Sequence, residues 1–375
     1  MNLESQVQTT AEGVGVWEHF SMRDGLPDMK IECIYEDRKG LLWVGTHDRG
    51  VVIYDGDIFE SYTRKDGLAG DGVFSIIEDD EGCIWLGTSM GLSRYVDGRF
   101  ETIDIGAPER FLWGSCKDNN GHLWFGVEGS PGISPKVYRW DGGQLDEIYL
   151  SDAQADIGIS INDIKVDTAG QVWLGGYGLY CFNSQGITQI VEFDEKSSIT
   201  SILPREDGTI WFTTGQELFL VDQNKVVNNV EVGQEVPRDI VSLAADSLGT
   251  IWLGSRIGIL YCFDGEIFRM VSSVNAIIWL GLCCDSIGRV WVGTYGMGLY
   301  YYDATRVKIY QTNQGLLSNQ ITSIAQYGTG PIYAASSAGL VRYDKKSIEA
   351  ISLPDELNVE GVTGLCASSN EKIWL

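Results

Sequence analysis

Apolar and small residues recur along this chain in a fixed order. Taking a glycine as zero, an aromatic follows three positions later at Trp43, Trp85, Trp124, Trp173, Trp211, Trp252, Trp291 and Tyr333. The glycines are Gly40, Gly82, Gly121, Gly170, Gly208, Gly249, Gly288 and Gly330; a ninth copy keeps Trp374 but has Glu371 instead of glycine. Nine positions before the glycine the residue is apolar (Ile31, Val73, Leu112, Ile161, Ile199, Ile240, Trp279, Ile321, Val362), and six before it apolar again except at Ser115. Seven before it every residue is small or short, as at Cys33, Ser75, Gly114 and Asp163. The pattern predicts a first strand in a crowded place where bulk would clash. After a turn comes a second strand apolar on both faces, as in Leu42-Trp43-Val44 and Ile251-Trp252-Leu253, expected where each sheet lies between two others. A third strand ends near Tyr54, Tyr95, Phe182, Tyr302 or Tyr343, and a short outer strand follows in most copies.

Successive aromatic anchors lie 42, 39, 49, 38, 41, 39, 42 and 41 residues apart, the period of a four-stranded propeller blade. The expected fold is all-β, a β-propeller of four-stranded antiparallel blades. Val16-Trp17-Glu18-His19-Phe20 matches an outer strand without the other three strands of its blade, so residues 14–20 are expected to complete the last blade and remove two exposed edges. The preferred division has a loose, disordered segment at 1–13, a seven-bladed ring at 14–305, and a second, incomplete set of blades at 306–375. The alternative is a single eight- or nine-bladed ring over 14–375. Because the sequence stops at Ile373-Trp374-Leu375, inside a core strand, it is expected to be a fragment.

Asp37-Arg38-Lys39-Gly40 and Asp79-Asp80-Glu81-Gly82 read as hairpin turns, in which aspartate bonds its own backbone and glycine takes positive φ. Each supplies too few oxygens for calcium. With 27 basic and 52 acidic residues the net charge is −25, which argues against nucleic acid or an anionic membrane as partner. Eight cysteines without a Cys-x-x-Cys pair read as free thiols, at odds with zinc and favouring a cytoplasmic location; the first residues carry no export signal. The longest apolar run, Ala276 to Cys284, is far short of a membrane span.

The run Asp-x-x-Gly-φ-Trp-φ-Gly-Thr, then Gly-φ-φ-x-Tyr, then a linker with Asp-Gly-Leu, resembles the two-component regulator propeller repeat. It is clearest at Asp37 to Tyr54, Asp79 to Tyr95 and Asp285 to Tyr302. The resemblance implies a ligand-sensing region of a bacterial signalling protein, periplasmic or extracellular, joined to a downstream signalling module in the full-length chain. No cofactor and no catalysis are expected, because the sequence holds no Gly-x-Ser-x-Gly, phosphate loop or metal-spaced cluster.

In propellers of this connectivity the interblade loops and the loops joining second to third strands share one face, over the channel mouth. The alignment places His47, Asp48, Arg49, Arg110, Glu128, Tyr177, Arg238, Arg256 and Tyr295 there, with Trp113 and Trp279 on first strands nearby. Arginines and aromatics around a cavity suit a planar or anionic small ligand or a saccharide. Two other readings stand beside this one. The acidic surface would suit a protein-binding scaffold. The repeat is also distantly similar to streptogramin lyase propellers, for which His47 is the one histidine on the loop face, since His19 lies on an outer strand and His122 in a hairpin on the opposite face.

Overall fold

The computed structural model describes residues 6–10, 13–105, 111–127, 136–150, 161–193, 197–230, 237–274 and 278–303, and in the C-terminal part 312, 316–318, 320–326, 331–336, 338–343, 348–351, 365–367 and 373–374. The chain divides into two compact units, Met1–Arg306 and Val307–Leu375. Among the described residues there is no α-helix, only strands and two short 3-10 turns.

In the first unit the described strands form seven antiparallel sheets. Blade 1 consists of Ile31–Glu36, Leu42–Thr46, Val51–Tyr54 and Phe59–Tyr62 in that order. Five more blades repeat this plan, starting at Val73, Leu112, Asp163, Ser201 and Ile240. Blade 7 has only Ile278–Cys284, Arg289–Thr294 and Leu299–Asp303 from its own copy. Its fourth strand is Gly13–Phe20, with Trp17 opposite Tyr302 and Phe20 opposite Leu299. Gly13–Phe20 thereby joins the start of the first unit to its seventh sheet.

The core lies between the blades. Trp43 of blade 1 packs with Val73, Ile76 and Leu86 of blade 2. Trp85 of blade 2 meets Leu112 and Phe125 of blade 3. The same step recurs around the ring until Trp291, Leu299 and Tyr301 of blade 7 meet Ile31, Val44 and Val52 of blade 1. Both faces of each second strand are covered, which accounts for its unbroken apolar run.

The turn aspartates do more than shape the hairpin. In blade 1, Asp37 Oδ1 accepts the N–H groups of Lys39 and Leu41, while Oδ2 accepts Trp43 Nε1 at 2.9 Å. The indole bond repeats at Trp85, Trp124, Trp173, Trp252 and Trp291, between 2.7 and 2.9 Å. Each tryptophan therefore enters the core with its one donor satisfied. In blade 5 Arg205 occupies the aspartate's position.

The small residues seven before the motif glycine sit where adjacent first strands converge. Several also bond the next blade: Ser75 Oγ donates to Leu112 O at 3.0 Å, Ser201 Oγ accepts Leu243 N–H at 3.1 Å, and Asp163 Oδ2 accepts Ile202 N–H at 2.8 Å. The interblade Asp-Gly-Leu loops are structural plugs. Thr63 and Asp66 form a reciprocal cap around the turn Arg64–Asp66, Gly67 takes φ 106°, and Leu68 is buried between blades 1 and 2.

The segment expected to be loose contains a strand, Gln6–Thr10, paired with Gly13–Phe20. Gly13–Phe20 would otherwise present an open ladder, and a sequence of β-forming residues three positions away can fill it. The seven described cysteines are free thiols, and burial pushes Cys33, Cys116 and Cys284 above the ordinary thiol range.

The second unit, described by itself, holds one four-stranded blade, Ile321–Gln326, Ile332–Ser336, Gly339–Tyr343 and Ile348–Ile351, and a hairpin of Cys366–Ala367 with Ile373–Trp374. Tyr333 is buried with Ala335 and Leu340, and Ser323 Oγ accepts Leu365 N–H at 2.9 Å. The side chains of Trp374 and Trp279 lie outside the described residues.

Candidate functional site

A bulge in the first strand decides what the channel mouth contains. Pairing with the second strand shifts between Ile31 and Cys33, Val73 and Ser75, Leu112 and Ser115, and Ile240 and Ser242. A bulge leaves a residue outside the ladder and re-aims its side chain. The residues so placed lie eight before the motif glycine. Glu32, Phe74 and Trp113 are so placed in blades 1 to 3, and with Asn162 and Thr200, at the same position in blades 4 and 5 where pairing is without a shift, they line a single cavity of about 420 Å³ with the small first-strand residues beside them.

Glu32 is the most demanding of these groups. It is 3% exposed, and its Oε1 lies 2.7 Å from His47 Nδ1. Its Oε2 is buried without a hydrogen-bond partner. Burial raises its carboxyl above the ordinary value, against a smaller opposing pull from His47. His47 comes from the loop after the second strand of blade 1, where its N–H donates to Lys30 O at 3.1 Å. Its ring meets Phe74 and Tyr295 edge-on, with centroids 6.3 and 6.0 Å away. Tyr295 comes from the matching loop of blade 7, and the Lys30 ammonium lies 5.0 Å from its ring centre.

Around the mouth from Glu32, Phe74 packs on Trp113 at 4.4 Å and on Phe111 at 5.1 Å, a three-ring wall. Farther round, Asn162 Nδ2 donates to Ser198 Oγ and Ile199 O at 2.6 and 2.8 Å. Arg256 Nη2 stands 3.1 Å from where a Cβ on Gly215 would be, a point that Thr200 and Val241 also approach.

Of the residues expected on this face, His47, Trp113 and Tyr295 enter one arrangement with Glu32 and Phe74. Arg256 lies beside Thr200. Tyr177 is half-buried, its carbonyl accepting Phe193 N–H at 2.7 Å, and Arg238 is exposed before Asp239. Arg49 is exposed beside Asp48, 3.7 Å away, and makes no recorded contact with the Glu32 group. Arg110 and Glu128 lie outside the described residues. Sequence reasoning missed Glu32, Phe74, Asn162 and Thr200. The available signal was the position itself, which reads Glu32, Phe74, Trp113, Asn162, Thr200, Val241 and Leu280 between columns that are uniformly apolar or small.

The other two histidines have local partners. His19 Nε2 is 2.7 Å from Met297 O, and His122 Nδ1 is 3.1 Å from Asp118 Oδ2. Asp79, Glu81 and Cys83 bring three potential metal ligands together, but Arg94 Nη2 lies 3.1 Å from both Glu81 Oε2 and Cys83 Sγ and supplies the cation.

The family described as two component regulator propeller matches residues 25–48, 67–90 and 272–296. These stretches are two-component regulator propeller repeats. The first two run from an interblade loop, and the third from the end of the outer strand Phe268–Ser273, to the loop after the tryptophan strand; they carry Glu32 with His47, Phe74, and Tyr295. No curated protein matches the chain. Among solved structures, a streptogramin B lyase is similar at 15% identity with a TM-score of 0.64, covering 76% of this chain and 97% of its own. Two extracellular domains assigned to hybrid two-component systems of B. thetaiotaomicron are similar at 16% and 19% identity, with TM-scores of 0.63 and 0.61. They cover 96% and 93% of this chain, which spans 51% and 49% of theirs. At these identities the likeness is one of fold, and the repeats rest on the matched sequence.

Proposed function

We propose that this chain is the ligand-sensing propeller region of a bacterial two-component-type signalling protein. It takes a small molecule or saccharide at the loop-face mouth and reports occupancy to an output module elsewhere in the full-length chain. The observation that carries the reading is the buried, half-partnered carboxylate of Glu32 beside the rings of Phe74 and Trp113 in one concave site. A concave hollow in which polar groups converge beside aromatic rings is a common form of a small-molecule site. The propeller repeats and the similar extracellular domains support a signalling context. The test is a thermal-shift screen of saccharides and small metabolites, since a ligand that binds only the folded chain raises its Tm. Trp113→Ala should weaken binding of the compound found several-fold; unchanged affinity counts against this face.

One observation favours a second reading, a lyase. His47 has a carboxylate partner at 2.7 Å, which can orient an imidazole for proton transfer. A lyase activity of the chain on a streptogramin, lost in His47→Ala, would establish it in place of non-catalytic sensing.

A further inference from the structure

Each described charged group lining the cavity has a local partner, Glu32 through Oε1, 2.7 Å from His47 Nδ1. Lys165 Nζ is 2.5 Å from Asp163 Oδ1, and Asp163 Oδ2 takes the Ile202 N–H. Lys117 Nζ is 2.8 Å from Asp80 Oδ1. Glu32 alone keeps a buried oxygen, Oε2, with no donor on it. A buried acceptor without a partner forfeits its hydration for nothing in return, and a carboxylate forfeits most. The missing element is a donor, and its setting narrows the choice. A cationic N–H donor forms a bond to carboxylate roughly twice as strong as a neutral hydroxyl does. The adjoining wall of Phe74, Phe111 and Trp113 offers ring quadrupoles that attract a cation. A net charge of −25 concentrates cations and repels anions around the whole molecule.

We infer that the channel mouth binds an organic ammonium ion, its N–H groups on Glu32 Oε2 and its carbon skeleton against Phe74 and Trp113. The inference rests on the loop-face sensing reading and names the ligand class. His47 holds Glu32 Oε1 and so fixes the carboxylate plane, which makes it a positioning residue. A cavity of about 420 Å³ accepts a ligand of one ring and a short amine arm.

The probe is benzylammonium, compared with benzyl alcohol as its neutral isostere, each titrated calorimetrically into the full chain. Benzylammonium should bind at least about tenfold more tightly than the alcohol. Glu32→Gln should remove at least about tenfold of that affinity, and Trp113→Ala several-fold. Glu60→Gln, an exposed carboxylate on the outer strand of blade 1, should leave it unchanged. Circular dichroism and melting of each variant confirm the fold. If Glu32→Gln does not fold, the ammonium-to-alcohol ratio in the native chain and in Trp113→Ala decides. Equal affinity for alcohol and ammonium, undiminished binding in folded Glu32→Gln, or no binding of benzylammonium at about 10 mM overturns the inference. A saccharide that binds in an Arg256-dependent manner and is indifferent to Glu32→Gln would overturn it while leaving sensing at this face intact.

Discussion

Two buried carboxylates, Asp167 and Glu32, differ in this protein because of what surrounds them. Asp167 accepts four donors, the N–H groups of Ala169 and Gln171, Gln171 Nε2 and Trp173 Nε1, all within 3.2 Å. Asp167→Ala should therefore cost about 2–3 kcal/mol in urea unfolding, and Asp167→Asn less because an acceptor oxygen remains. Equal losses would show that turn geometry, not the indole bond, is what the side chain supplies. Glu32 has one partner for two oxygens, and burial raises its carboxyl above the ordinary 4.5. Between that value and its native one, the folded chain retains a proton that the unfolded chain has lost. Stability then falls as pH rises through the window. Glu32→Gln should accordingly raise Tm more at about pH 8 than at about pH 4, and the same shift at both would contradict the sign. A group that lowers stability where it stands is what a binding site costs its host.

Between elements, the second motif glycine sets how closely blades approach. A Cβ on Gly87 would lie 2.3 Å from Ser75 Oγ and 2.6 Å from Leu112 O. Gly87→Ala must therefore push blades 2 and 3 apart, with an expected loss of about 1–3 kcal/mol by denaturant titration. Blade 5 meets the same requirement by other means. Thr213 stands at this position, and its Oγ1 donates to Ile240 O at 2.6 Å, turning the contact into a hydrogen bond. Thr213→Gly should lose about 1 kcal/mol without relieving any clash. The periodic glycine was readable from sequence as part of the repeat, but its reason was not, because the carbonyl it avoids belongs to the next copy, 25 positions on at Leu112.

For the ring as a whole, closure depends on a strand far from its sheet in sequence. Removing residues 1–20 takes away buried Trp17 and Phe20 and bares the edge of Leu299–Asp303. That truncation should aggregate or lose its cooperative melt by light scattering and calorimetry, whereas removing residues 1–12 should leave both intact. Fold class, blade period, anchor positions and the closing strand were legible in the sequence because each arises from local periodicity repeated in register. Each copy also fixed which residues face inward, since strand pairing permits only two faces. The mouth was legible only in part. His47, Trp113 and Tyr295 were placed on it by alignment, whereas Glu32 and Phe74, at the repeat position of Trp113, were passed over because the bulge that turns them to the mouth leaves no residue type of its own in the sequence. The pairing of Glu32 with His47, the orphaned oxygen and the aromatic wall were decided by tertiary structure alone. Strand pairing within blade 1 brings His47 to Glu32, packing of blade 2 on blade 3 stacks Phe74 on Trp113, and only closing the ring sets Tyr295 of blade 7 against His47.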